Sequence, residues 1–281
     1  MKRRDFLKAL TAVFMGWGGA PAQVLAKLAK TSPATPPGNH DDNIKDYLHR
    51  MKNFNKHHKG DVWLDRKRYR LLESSAKRFK RLQRIVGHGN FHLLSFDKAL
   101  RIARNYSSVG RFSRAELDFL EMIFYEDAGI YGFFGEKPMK NLTSRVEKRD
   151  VVKVPRTGNY LYRGRPIETY KKIRQYLGDK VILTSGVRSV IKQFMLFLNK
   201  TYMSKGNLSL ASRSLAPPGY SFHSIGDFDV GQVGFGADNF TERFITTEVY
   251  RKLENSGYLK LRYQQNNTLG VRFEPWHIKL S

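Results

Sequence analysis

Apolar residues recur at helical spacing along most of this chain, and the runs with strand composition lie beyond Lys180. That ordering predicts an α+β fold, a small antiparallel sheet flanked by helices, with a helical N-terminal extension before it. Ser113-Arg114-Ala115-Glu116 has the form of a capping box and opens a helix with Leu117, Leu120 and Phe124 on one face. Pro166 suits the first turn of a second helix, striped by Ile167, Tyr170, Ile173 and Leu177 and ended by Gly178-Asp179. Val181-Ile182-Leu183 reads as a short buried strand. Helices are expected over 189–203 and 240–254, the latter closed by Gly257. The runs 258–264 and 270–280 read as two strands joined through Asn266-Asn267 in a hairpin.

The N-terminal region divides by composition. A basic start, Met1-Lys2-Arg3-Arg4-Asp5-Phe6-Leu7-Lys8, precedes a glycine-interrupted apolar run that ends in the small residues Ala20-Pro21-Ala22. This is the layout of a cleavable signal peptide over 1–22, too short and broken for a membrane span. Its Arg3-Arg4-x-Phe6-Leu7-Lys8 core resembles a twin-arginine export signal, so the mature protein is expected in the periplasm or cell envelope without a transmembrane anchor. Residues 23–43, with Thr31-Ser-Pro-Ala-Thr-Pro-Pro-Gly38, have linker composition. Residues 44–110 read as a basic helical extension, with Tyr47, Met51, Trp63, Leu71, Leu72, Phe79 and Leu82 as candidate buried positions. The cluster Lys77-Arg78-Phe79-Lys80-Arg81 reads as the wet face of a helix. Residues 111–281 form the remaining domain.

Composition narrows the chemistry. The chain has no cysteine, which excludes disulfides and thiolate ligands; a metal here must sit on His, Asp or Glu. Fifty Lys and Arg against 25 Asp and Glu, a net charge of +25, favour an anionic partner, whether nucleic acid, lipid surface or acidic wall polymer. Charge alone does not choose among them. No helix-turn-helix or aromatic ribonucleoprotein pattern is present, and with the export signal this argues against nucleic acid.

Three short segments carry the chemistry. Ser185-Gly186-Val187-Arg188-Ser189 closes the buried strand, with Gln193 five residues after the arginine. Ser221-Phe222-His223-Ser224-Ile225-Gly226-Asp227-Phe228-Asp229-Val230-Gly231 comes next, and Glu274-Pro275-Trp276-His277 lies near the C-terminus. Together, in this order, they resemble the D-Ala-D-Ala carboxypeptidase and dipeptidase family of zinc peptidases, its VanY-like branch in particular.

The resemblance implies a zinc site on His223, Asp229 and His277, three nitrogen or oxygen ligands with a fourth position open, as catalytic zinc requires. Asp229 follows His223 one residue sooner than the family's usual spacing, so the turn after Gly226 must be tighter; Asp227 is the fallback ligand. Glu274 is implied as general base, with Pro275 breaking strand pairing so that Glu274 and His277 reach one side. Arg188 is implied as the group that stabilises the developing oxyanion. Ser221 is expected to hydrogen-bond the substrate terminus and Gln193 to support the site. The implied function is a zinc D-alanyl-D-alanine carboxypeptidase acting on peptidoglycan stem peptides or precursors, its basic surface suited to anionic envelope polymers. A cross-link endopeptidase would use the same machinery. A wall-binding module without catalysis would not need Glu274.

Overall fold

The computed structural model describes residues 40–281. The proposed signal peptide and nearly all of the proposed linker lie outside the described residues. Residues 47–281 form one compact unit, which holds both sheets and every candidate site residue.

A helical layer comes first in the chain. Helix α1 spans His40–Lys52, α2 Arg66–Val86, α3 His88–Phe91, α4 Phe96–Asn105 and α5 Arg114–Tyr125. Strands β1 (Val151–Lys153) and β2 (Tyr160–Tyr162) pair as an antiparallel ribbon before α6 (Arg165–Leu177). Then come β3 (Val181–Ser185), α7 (Val190–Met203), α8 (Leu208–Ser212), β4 (Phe228–Gln232), α9 (Glu248–Asn255) and β5 (His277–Ile278). The second sheet is antiparallel with strand order β3-β4-β5. The α+β class read from the sequence is the class of the fold.

Two apolar clusters hold these elements. Leu72, Phe79 and Leu82 of α2, fully buried, pack with Leu120 and Phe124 of α5 and with Phe194 and Phe197 of α7. Phe79 and Phe194 stack with ring centroids 5.9 Å apart. The segment read as a basic extension therefore builds the same core that anchors α7. Trp63, expected to be buried, is 47% exposed, whereas Tyr47, Met51 and Leu71 are half-buried. In the basic cluster of α2, Arg78 pairs with buried Glu116 at 3.1 Å and donates to the carbonyls of Val109 and Gly110. Glu116 also completes the capping box: its Oε2 accepts from Ser113 N at 2.7 Å, and Ser113 Oγ accepts from Glu116 N at 3.1 Å. The second cluster lies over the three-stranded sheet: Ile173 of α6, Leu183, Phe228, Val230, Leu253 of α9 and Trp276.

Two elements differ from expectation. Residues 240–254 are not one helix; 3-10 turns at Gly236–Phe240 and Glu242–Thr246 precede α9. Thr241 and Thr247 explain the breaks, because each side chain accepts a backbone N–H ahead of it and so starts a new turn. The expected hairpin of 258–264 with 270–280 closes without a regular ladder. It keeps a bridge between Leu261 and Ile278 and the bonds Lys279 N to Lys260 O and Glu274 N to Tyr263 O. Asn267 takes over the turn instead, donating to Gln264 O and Val271 O and accepting from Leu269 N. Pro275, with no N–H to give, interrupts the pairing again.

Candidate metal and catalytic centre

The sheet register builds the centre. Asp229 on the middle strand pairs with Ser185 of β3 on one side and with His277 of β5 on the other. Directly opposed residues on neighbouring strands project to the same face, so Asp229 and His277 meet there. A register irregularity between Leu183 and Ser185 re-aims the end of β3 into the loop that carries Arg188. His223 comes from a single 3-10 turn, Phe222–Ser224, just before β4. Gly226, at φ 138, makes the tight reversal between that turn and the strand. At Gly186 a Cβ would lie 2.0 Å from Tyr160 O, so only glycine lets this loop pack against the β2 backbone, where Val187 N donates to Tyr160 O.

His223, Asp229 and His277 are buried, with one ligand atom from each within 4.8 Å of the others. Asp229 Oδ1 is 3.2 Å from His223 Nε2 and 3.2 Å from His277 Nδ1. The opposite nitrogens are engaged: His223 Nδ1 donates to Gly186 O at 2.8 Å, and His277 Nε2 donates to Asp227 Oδ2 at 3.0 Å. With both rings neutral, as metal binding requires, these outer bonds set the tautomers and leave a lone pair on each inner nitrogen. His223 Nε2 and Asp229 Oδ1 are buried and have no hydrogen-bond partner. Acceptors facing one another at this distance repel unless a cation lies between them. Ligand atoms about 2.1 Å from a tetrahedral zinc sit roughly 3.4 Å apart, so the donor set fits such an ion in chemistry and spacing.

The surrounding charges follow from burial and pairing. Burial opposes ionisation of Asp229, but His223 and Arg188 outweigh it and hold this carboxyl well below its usual range. Burial, reinforced by Arg188, lowers His223 to about 4. Burial would also lower His277, but its bonds to Asp227 and Asp229 raise it to about 9. Glu274, buried and near Asp229, is pushed up to about 7 against the pull of His277 and Arg272. Its Oε2 lies 3.6 Å from His277 Nδ1. The turn at Pro275, where His277 N donates to Glu274 O at 3.2 Å, brings the two residues to one side.

Asp227 stands outside this group. It accepts from His277, from Arg262 Nε at 2.5 Å, and from the backbone N–H groups of Leu280 and Ser281. Burial would raise its pKa, but these donors hold it below the usual carboxylate range. Arg262 in turn stacks over Phe222 at 3.4 Å, tying the His223 turn to the His277 strand. Sequence reasoning misses both Arg262 and the bracing role of Asp227; no local motif marks them, because the contacts join residues 35 and more apart.

A cavity of about 350 Å³ opens beside the centre, lined among others by Asp229, Glu274, Arg188, Lys192, Arg272 and Trp276. Arg188 Nη2 donates to Asp229 Oδ2 at 2.6 Å and Nε to Ser185 Oγ at 2.9 Å. Among the described residues nothing accepts from Nη1. Gln193 donates to Arg188 O and accepts from Gly219 N, so its amide supports the site through the backbone and does not face a substrate. The expectation for Ser221 needs correction. Ser221 does not line the cavity; its carbonyl accepts from Ser224 N and Oγ, closing the turn that presents His223.

Residues 168–280 match the VanY family, D-alanyl-D-alanine carboxypeptidase. Three solved structures are similar at low overall superposition. The LdcB LD-carboxypeptidase is 19% identical, with 48% of this chain and 69% of that one covered and a TM-score of 0.38. The vancomycin-resistance D,D-pentapeptidase VanY of the VanB-type cassette, in complex with Zn(II), is 24% identical, with 54% and 86% covered and a TM-score of 0.40. VanYB in complex with D-alanine-D-alanine is 25% identical, with 52% and 82% covered and a TM-score of 0.39. No curated protein matches the chain. The matched residues 168–280 contain the whole His/Asp/His group together with Glu274 and Arg188.

Proposed function

We propose that this protein is a zinc-dependent D-alanyl-D-alanine carboxypeptidase of peptidoglycan stem peptides or their precursors, exported to the periplasm or cell envelope. The observation that carries the reading is the convergence of three potential ligand atoms, on His223, Asp229 and His277, beside a buried carboxyl group on a cavity wall. His223 Nε2, Asp229 Oδ1 and His277 Nδ1 would hold the metal. Zinc in that position supplies Lewis-acid polarisation and lowers the pKa of water toward neutrality.

The remaining work belongs to side chains. Glu274, with a pKa near 7, takes a proton from the attacking water and returns it to the departing D-alanine nitrogen. Arg188, fixed by Asp229 and Ser185, lines the cavity and would donate through Nη1 to the carbonyl oxygen as it gains charge. Its orientation is set before substrate arrives, so no reorganisation is needed during reaction. Trp276, 3% exposed, walls the cavity and keeps bulk water from the reacting groups.

Incubating the zinc-loaded protein with defined pentapeptide muropeptides and reading product masses tests the function. Loss of one terminal D-alanine is the expected product; release of a cross-linked partner chain would make the enzyme an endopeptidase, and intact muropeptides would overturn the reading.

A further inference from the structure

The cavity carries a row of cations that neither metal binding nor proton transfer uses. Lys192, Leu196 and Lys200 recur every four residues on α7 and all line it. Eight residues of helix put the two lysines about 12 Å apart along one face. The other face of α7 is anchored by Phe194, Phe197 and Leu198 in the helical core, so the lysines are held facing the cavity rather than free to turn away. Arg272 lines the same cavity, its guanidinium 4.8 Å from the centroid of Trp276 and 4.9 Å from that of Phe54. Nη2 of Arg272 donates to Phe240 O, while Nε is buried without a partner.

No carboxylate lies within salt-bridge distance of Lys192, Lys200 or Arg272 among the described residues, although Arg272 feels Glu274, Glu242 and Asp229 at longer range. The charged neighbours that Lys192 and Lys200 feel are Arg188 and Arg272, both of like sign. Lys192 is only 7% exposed, so its charge is not simply in water. The two carboxylates lining the cavity, Asp229 and Glu274, belong to the catalytic end. Burying unpaired like charges is costly unless something anionic enters with them. The row is also too long for one carboxylate to satisfy.

We propose that the far end of this row, Lys200 with Arg272, binds a side-chain carboxylate of the substrate peptide, in addition to the terminal carboxylate that every carboxypeptidase substrate carries. The inference rests on the proposed peptidase function and sharpens it: the enzyme selects acidic stem peptides over neutral ones.

The test uses two peptides ending in D-Ala-D-Ala that differ in one residue, glutamate or glutamine immediately before the D-Ala-D-Ala unit. Zinc-loaded protein should show a KM about tenfold or more lower for the glutamate peptide, the scale of one charge-assisted hydrogen bond. Lys200→Met, and independently Arg272→Gln, should bring the two KM values together, and Lys200→Glu should reverse the order. Equal KM values in the wild type, or a preference that survives Lys200→Met, would overturn the subsite. Calorimetry of both peptides on the zinc-loaded Glu274→Gln variant separates this from the peptidase reading. If neither peptide is cleaved, that reading fails, yet tighter binding of the glutamate form still supports the subsite; equal binding or none overturns it.

Discussion

His277 gives its Nε2 proton to Asp227 and His223 gives its Nδ1 proton to Gly186, and these two bonds determine which nitrogen of each ring faces Asp229. Asp227→Asn removes the charge behind His277 while keeping its shape. Zinc affinity should fall about 10- to 100-fold, the usual weight of an outer carboxylate, in a competitive chelator titration. An unchanged affinity would show that Asp227 only ties down the backbone of Leu280 and Ser281. Glu274 makes a different prediction because it is the proposed base and not a ligand. Glu274→Gln should keep zinc and lower kcat about 100-fold or more. In the wild type, Glu274 must be ionised to accept a proton. Activity should therefore fall as pH drops through about 7, and this acid limb should be missing from the residual rate of the variant. An acid limb that persists unchanged would assign the titration to another group.

At the scale of elements, the site depends on loops being held at both ends. Asp61 and Arg213 form a buried pair at 2.7 Å that joins the loop after α1 to the end of α8. Asp61 also accepts from Asn207 Nδ2 and His58 N. Removing one partner leaves a buried charge, so Asp61→Ala should lower unfolding stability by about 3–5 kcal/mol in urea titration. A loss well under that would mean that water reaches Arg213 in the variant. The elements also show what sequence can and cannot say. The capping box at Ser113 and the proline-started α6 are legible because their causes lie within four residues. The grouping of His223, Asp229 and His277 is legible from three local motifs, but the different placements of Asp227 and Asp229 follow from strand register, since Asp229 and not Asp227 opposes His277. The irregular hairpin is not legible, because Asn267 replaces ladder bonds with side-chain bonds, which composition does not reveal. Lys200 and Arg272 meet only through packing, and no spacing along the chain announces it.

For the whole molecule, a net charge of +25 suits the anionic envelope polymers proposed as its surroundings. Among the described residues no helix is long and apolar enough to cross a membrane. The proposed export rests on Arg3-Arg4, and replacing that pair by Lys-Lys should leave unprocessed precursor in the cytoplasm by fractionation and immunoblot. Normal processing of the Lys-Lys form would instead assign export to the general secretory route. The central claim is that His223, Asp229 and His277 together hold zinc where Glu274 can act. It is tested most directly by the zinc-to-protein ratio of purified wild type, Asp229→Ala and Glu274→Gln, measured side by side by elemental mass spectrometry. The account predicts about one zinc per chain in the wild type and in Glu274→Gln, and nearly none in Asp229→Ala, because a catalytic zinc site needs its three protein ligands. A full equivalent of zinc retained by folded Asp229→Ala would contradict it.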